Sequence, residues 1–198
     1  MNLDTCLNII WYMSDLTKKA LAASLKKLLL KKSLSDITVS DITDDCGVNR
    51  QTFYYHFDNI PALIEWTCVN DADKVLSEHR HYDNWEEGFY SIFMLAMEDR
   101  AFVLNIYHSV SLNILIKYVE KLVFPLIYGV VEEQAEGLNV KKEDKDFLAG
   151  FYTSSFVGLV LDWIEEGMNK DSKDIIHHLS PIVKGSVRRA LESYSKEK

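Results

Sequence analysis

Long apolar runs are missing from this sequence: the longest, Leu122 to Val131, contains Pro125 and falls well short of the ~18 to 20 residues of a membrane-spanning helix. Cysteine is rare. Cys6, Cys46 and Cys68 are odd in number, scattered and without a C-x-x-C spacing, which argues against a disulfide framework and suits free thiols in a reducing cytoplasm. The opening MNLDTCLNIIWYM has Asp4 and no Lys or Arg before its apolar stretch, unlike a secretory signal. Catalytic signatures are absent: there is no G-x-S-x-G elbow, Walker loop, H-E-x-x-H or dinucleotide glycine fingerprint, and isolated carboxylates on helices make no acid-base pair. An enzyme is not expected, and nothing calls for a cofactor. The histidines His79, His81, His177 and His178 have no cluster of further ligands around them, so a metal is not expected either.

Positive charge is also short, with a net charge of -8 over 198 residues. Its distribution is uneven. From Asp15 to Asp58 seven basic side chains face six acidic ones, +1, whereas the rest of the chain carries -9. A neutral to slightly basic head on an acidic body is compatible with nucleic-acid binding by one end.

What is present is helical periodicity. Leu21, Leu25, Leu28 and Leu29 predict a helix over Leu16 to Lys31, ended by Ser33 to Asp36. Thr38 is placed to cap a short helix from Val39 to Cys46, which Gly47 stops. A third short helix is predicted from Val48 to Tyr55, with Val48, Thr52 and Phe53 inward. Asn59 and Pro61 start a fourth that runs to about His79, and residues 81–85 form a loop. Helices follow at Trp85 to Glu98, Phe102 to His108, Leu112 to about Glu136 with a kink or break at Pro125, Glu143 to Gly167 and Lys173 to Tyr194. No strand alternation or repeat is evident, and the fold class expected is all-α.

The segment ITVSDITDDCGVNRQTFYYHF has the layout of a helix-turn-helix. Thr43 is the small residue facing the second helix, Gly47 the turn glycine and Phe53 the apolar anchor, and Ile42 and Cys46 can pack on Val48, Phe53 and Phe57. The same spacing also fits an ordinary helical hairpin. At the start of the second helix, Arg50 suits guanine O6 and N7 and Gln51 suits adenine N6 and N7, with Asn49 and Thr52 beside them. Hydroxyls at Thr38, Ser40 and Thr52 are candidates for phosphate. Lys18 and Lys19 could reach the flanking backbone or form a solvated face.

Thr17 to Leu63 resembles the DNA-binding domain of the TetR family, with its T-V-x-D-I entry and F-Y-Y-H-F exit. The resemblance implies that Phe53 and Phe57 are core anchors, that Tyr54, Tyr55 and His56 lie at the DNA face, and that a homodimer reads a palindromic double-stranded operator in the cytoplasm. It departs from the family at Ile60, where a phosphate-binding lysine is common; with Asp58 beside it, weak nonspecific binding and a shallow salt slope are expected. VSDITDDCGVNRQTFYYHF and the acidic body are similar to regulators of dihydroxyacetone kinase operons, which implies control by a protein co-regulator instead of a diffusible ligand.

The expected division is an extension over residues 1–14 that need not fold, a helix-turn-helix domain over 15–59 and a helical effector-binding and dimerisation domain over 60–198. Met13, just before SDLTKKA, is an alternative natural start. In the body, Tyr90, Phe93, Met94, Met97, Tyr107, His108, Tyr118 and Tyr152 are candidates to line an effector pocket, or else plain core. Gly150, Ser154 and Gly158, with Leu179, Ile182, Ser186 and Val187, are candidates for half of a four-helix dimer interface, or else internal packing. The rival to a DNA-reading regulator is a protein-interaction adaptor that keeps the fold with weak or no DNA binding.

Overall fold

The computed structural model describes the backbone of residues 3–76 and 82–196, and side chains over 13–71 and 83–195. Among the described residues there are helices and turns and no strand. The chain divides into a head, residues 1–70, and a body, residues 71–198.

In the head, α1 (Leu3–Leu29) buries Leu21, Leu25 and Leu29, one residue per turn, so the predicted leucine stripe becomes its inner face. Its start differs from expectation. Residues 3–14, predicted as an extension, continue the helix because no glycine or proline interrupts them. A single 3-10 turn, Leu34–Asp36, follows, then α2 (Val39–Cys46) and α3 (Arg50–His56). The Ser24 hydroxyl on α1 donates to the Ile42 carbonyl on α2 at 3.0 Å, a buried link that sets one helix against the other. The next helix, α4 (Ile60–Leu76), begins with Asn59 accepting from the Ala62 amide at 2.9 Å; its predicted end at His79 lies outside the described residues. Leu63 and Ile64 on α4 are fully buried and the Trp66 ring meets Phe57 edge-on at 5.9 Å, so the head extends past the expected boundary at residue 59.

The body comprises α5 (Trp85–Glu98), α6 (Arg100–Ser109), α7 (Leu112–Gln134), α8 (Lys142–Glu165), α9 (Ser172–Val183) and α10 (Ser186–Lys196). Helix α7 runs through Pro125 without the break that was one of the two expected outcomes there. Pro125 and Lys121 both lie on the exposed side, where water can replace the helical bond the ring removes. The predicted single last helix is two, because Gly185 takes a left-handed conformation with φ of 74° that ends α9.

Aromatics form the body's core. Phe89 of α5 stacks on Phe156 of α8 with ring centres 3.6 Å apart, and Phe93 meets Trp163 edge-on at 4.9 Å. The Arg188 guanidinium donates to the carbonyls of Gln134 and Glu136 at 2.7 and 3.0 Å, placing a cation on the negative end of α7. Helix α8 is long and apolar enough to cross a membrane, but half of its apolar stretch is buried within the body, as in the central helix of a bundle.

Candidate DNA-binding face

The turn between α2 and α3 is held by bonds that the local sequence supplies. At the start of α2, the Thr38 amide donates to the Asp41 carboxylate at 2.7 Å and the Asp41 amide donates back to the Thr38 hydroxyl at 3.2 Å. Two first-turn donors are thus satisfied reciprocally. The Thr38 hydroxyl also donates to Asp41, and these bonds together with Lys32 at 3.0 Å hold the Asp41 carboxyl down at about 2. At the other end Gly47 adopts φ of 73°, and the Gly47 and Val48 amides both donate to the Thr43 carbonyl. A residue with a side chain is strained in that conformation.

Helix α3 starts later than expected, at Arg50 instead of Val48, because Asn49 is its cap and not its first residues' companion. The Asn49 side-chain oxygen accepts from the Thr52 amide at 2.8 Å and from the Thr52 hydroxyl at 3.0 Å. The Asn49 side-chain oxygen and the Thr52 hydroxyl hydrogen are therefore engaged in holding the helix end. The signal was available in the sequence: an asparagine directly before a short apolar-periodic segment is an N-cap pattern.

Phe53 is fully buried and Phe57 nearly so, which turns α3 so that Arg50, Gln51, Tyr54 and Tyr55 face outward. Tyr54 is 50% exposed and Tyr55 80% exposed. Exposed aromatics of this size on a seven-residue helix are not required by its own packing. His56 is half-buried at the end of α3, with its ring edge-on to Tyr55 at 4.9 Å. Burial, and then the charge of Lys18, hold its imidazole below the usual range, favouring the neutral form. Ser40 and Thr52 are half-buried, Thr38 is exposed, and of these three Thr38 and Thr52 hydroxyls already serve caps.

Three of the head's basic side chains are engaged in ion pairs. Lys27 meets Asp45 at 2.6 Å, Lys32 meets Asp41 at 3.0 Å, and Lys19 pairs with Asp15. Arg50 on the outer face is thus a prominent cation beside Gln51.

The candidates in the body do not converge on one cavity. Phe93 and Tyr118 are buried in the core, Met94, Met97 and His108 are exposed, and Tyr90 and Tyr107 are half-buried. The Tyr152 hydroxyl is bonded to Ser186 at 2.6 Å, and its ring borders an apolar cavity of about 10 Å³ lined also by Trp85, Phe156 and Val187. Of the interface candidates, Val187 is buried inside the body and Ser186 is turned to Tyr152, so these two pack α10 internally; Leu179 is half-buried. Ser154 and Gly158 are exposed, Gly150 is half-buried, and Ile182 is 66% exposed. Sequence reasoning missed Phe147 and Phe151, which stand 68% and 58% exposed along the same side of α8 and border an open groove with Gly150, Ser154 and Ser155.

A helix-turn-helix head on an all-helical body defines a class of regulator, and comparison with known proteins agrees. Residues 21–65 match the family described as "Bacterial regulatory proteins, tetR family", and residues 83–185 match "Transcriptional regulator C-terminal region". The chain belongs to the TetR family and is a TetR-type transcriptional regulator, not an enzyme. It is similar to the HTH-type dhaKLM operon transcriptional activator DhaS of Lactococcus lactis subsp. lactis (strain IL1403), 29% identical over 94 residues, 48% of this chain and 50% of that protein. The matched segment spans about half the length of that relative. Among solved structures it is similar to the dihydroxyacetone kinase operon activator DhaS, with a TM-score of 0.63 and 18% identity over 90% of this chain and 98% of that one. It is also similar to NalD, the secondary repressor of the MexAB-OprM multidrug efflux pump in Pseudomonas aeruginosa, with a TM-score of 0.52 and 17% identity over 87% and 96%. At these identities the structural likeness is one of fold.

Proposed function

We propose that the protein is a sequence-specific DNA-binding regulator that reads a palindromic operator as a homodimer in the cytoplasm, with α3 in the major groove. The observation that carries this is the capped, anchored α3: Asn49 and Phe53 fix it, and Arg50, Gln51, Tyr54 and Tyr55 are left exposed on its outer side. Arg50 and Gln51 read base edges, while Tyr54, Tyr55, His56 and the hydroxyls of Ser40, Thr38 and Thr52 lie where backbone contacts would form. The two α3 helices of a dimer would stand one helical turn of DNA apart, ~34 Å.

Support for the dimer comes from α8. A Cβ at Gly150 or Gly158 would meet nothing within 4 Å inside the chain, so internal packing gives no reason for glycines that each cost a helix about 1 kcal/mol. Close approach of a second α8, with Phe147, Phe151 and Ile182 covered by it, supplies one. The relatives' names suggest activation of a dihydroxyacetone kinase operon, and the resemblance to such regulators supports control by a protein co-regulator.

One observation favours the rival adaptor reading: Lys19, Lys27 and Lys32 are paired with carboxylates, which reduces the positive charge the head offers to phosphate. A mobility-shift assay with DNA from upstream of the gene separates the two. Sequence-specific retardation that falls ~5- to 150-fold on Arg50→Ala, the equivalent of about 1–3 kcal/mol for a lost bidentate base contact, supports the regulator. No retardation of the wild-type protein even at low salt favours the adaptor, and a monomer at micromolar concentration in sedimentation would remove the homodimer.

A further inference from the structure

The ion pairs of the head single out one lysine. Lys19, Lys27 and Lys32 each have a carboxylate partner, Lys31 lies in the field of Asp45, and Lys26 has contacts of its own. Lys18 does not follow this pattern. Its ammonium lies 5.9 Å from the centre of the Trp66 ring, and that ring in turn packs edge-on against Phe57, the residue that closes α3. His56 is next to it, close enough that the Lys18 charge opposes protonation of the imidazole. An α1 cation and an α4 indole therefore meet beside the end of α3, where the His56 ring lies 6.4 Å from that of Phe57 and Tyr55 is exposed.

A tryptophan face attracts an ammonium but does not neutralise it. It steadies the long side chain and leaves the N–H donors on the far side directed at solvent, so less side-chain freedom is lost when an anion arrives. A carboxylate partner, as Lys27 and Lys32 have, would have to be displaced first.

We propose that Lys18, held on Trp66 beside His56, is the DNA-phosphate contact that flanks α3. It deepens the DNA-binding reading and rests on it. The ammonium neutralises one backbone phosphate per protomer, and the half-buried, neutral His56 can donate a hydrogen bond beside the end of α3 without competing for that charge. The contact positions α3 on the duplex and carries no sequence information.

The test is the salt dependence of binding, measured by fluorescence anisotropy on a duplex that the wild-type protein itself selects from a random pool. Losing one phosphate contact per protomer makes the slope of log K against log salt shallower by about 0.9 per protomer, or about 1.8 per dimer. Between roughly 50 and 200 mM salt, Lys18→Gln should thus lose on the order of tenfold less affinity than the wild type does, while binding more weakly at the low-salt end. Lys18→Arg should restore the wild-type slope. A merely structural Lys18 would shift the melting temperature of Lys18→Gln and leave the slope unchanged, and that result overturns the proposal while the regulator reading stands. Failure of the wild-type protein to select any duplex overturns both.

Discussion

In the head, the polar side chains are bound to backbone ends or opposite charges mostly a few residues away, whereas the body's helices meet through aromatic rings drawn from distant parts of the chain. Thr38 answers Asp41 and Asn49 answers Thr52, each three residues on. Phe89 answers Phe156 and Phe93 answers Trp163. Hydrogen bonds are directional and fix the angle of a short helix. Stacked rings contribute mainly by area and tolerate more sliding than a hydrogen bond does. The head is organised for orientation and the body for packing.

The largest effects should come from removing the hydrophobic anchors on either side of this contrast. Phe53→Ala and Phe156→Ala should each cost about 3–5 kcal/mol in chemical denaturation, since both rings are fully or almost fully buried. Only the body should recover through local repacking of a smaller substitution such as Phe156→Leu; equal recovery with Phe53→Leu, read as restored DNA binding, would break the contrast. A smaller effect is expected at the α3 cap: Asn49→Ala should cost about 1 kcal/mol while Asn49→Asp keeps the stability. If Asn49 reads a base instead, Asn49→Asp will change the selected sequence without changing the melting temperature.

The smallest effect is electrostatic. Asp41 is ionised more readily in the folded head than in the unfolded chain, with its carboxyl lowered from the usual 3.8 to about 2. Its contribution is therefore complete above about pH 4 and is lost as the pH falls towards 2. Melting temperatures of the wild type and Asp41→Asn should converge across that window; a constant difference would show that the cap does not depend on the charge.

The head was legible in the sequence to a degree that the body was not, for the same physical reason. Caps and turns are local, so Thr38, Gly47 and Phe53 announced the helix-turn-helix from a single window, and the family resemblance followed from the same residues. What the window did not announce is that Asn49 caps α3, because its side chain was weighed for what it could recognise before asking what the helix end required. In the body the periodicity located the helices but not which faces meet. The bond of Tyr152 to Ser186 was not legible because it spans two helices, and Gly185 was passed over because a lone glycine in an apolar-periodic stretch costs little to extend through. Exposed Phe147 and Phe151 were hidden for a related reason: a large apolar side chain at helical spacing reads as core until its neighbours are known.

The Asn49 cap has a consequence for how such a regulator can change over generations. The residues that keep α3 folded, Asn49, Thr52, Phe53 and Phe57, are different from those that the proposed function assigns to target choice, Arg50 and Gln51. Altering the second pair touches no bond on which the helix depends. A lineage could exchange one operator for another by substitution at two adjacent codons, with the fold neither helping nor resisting.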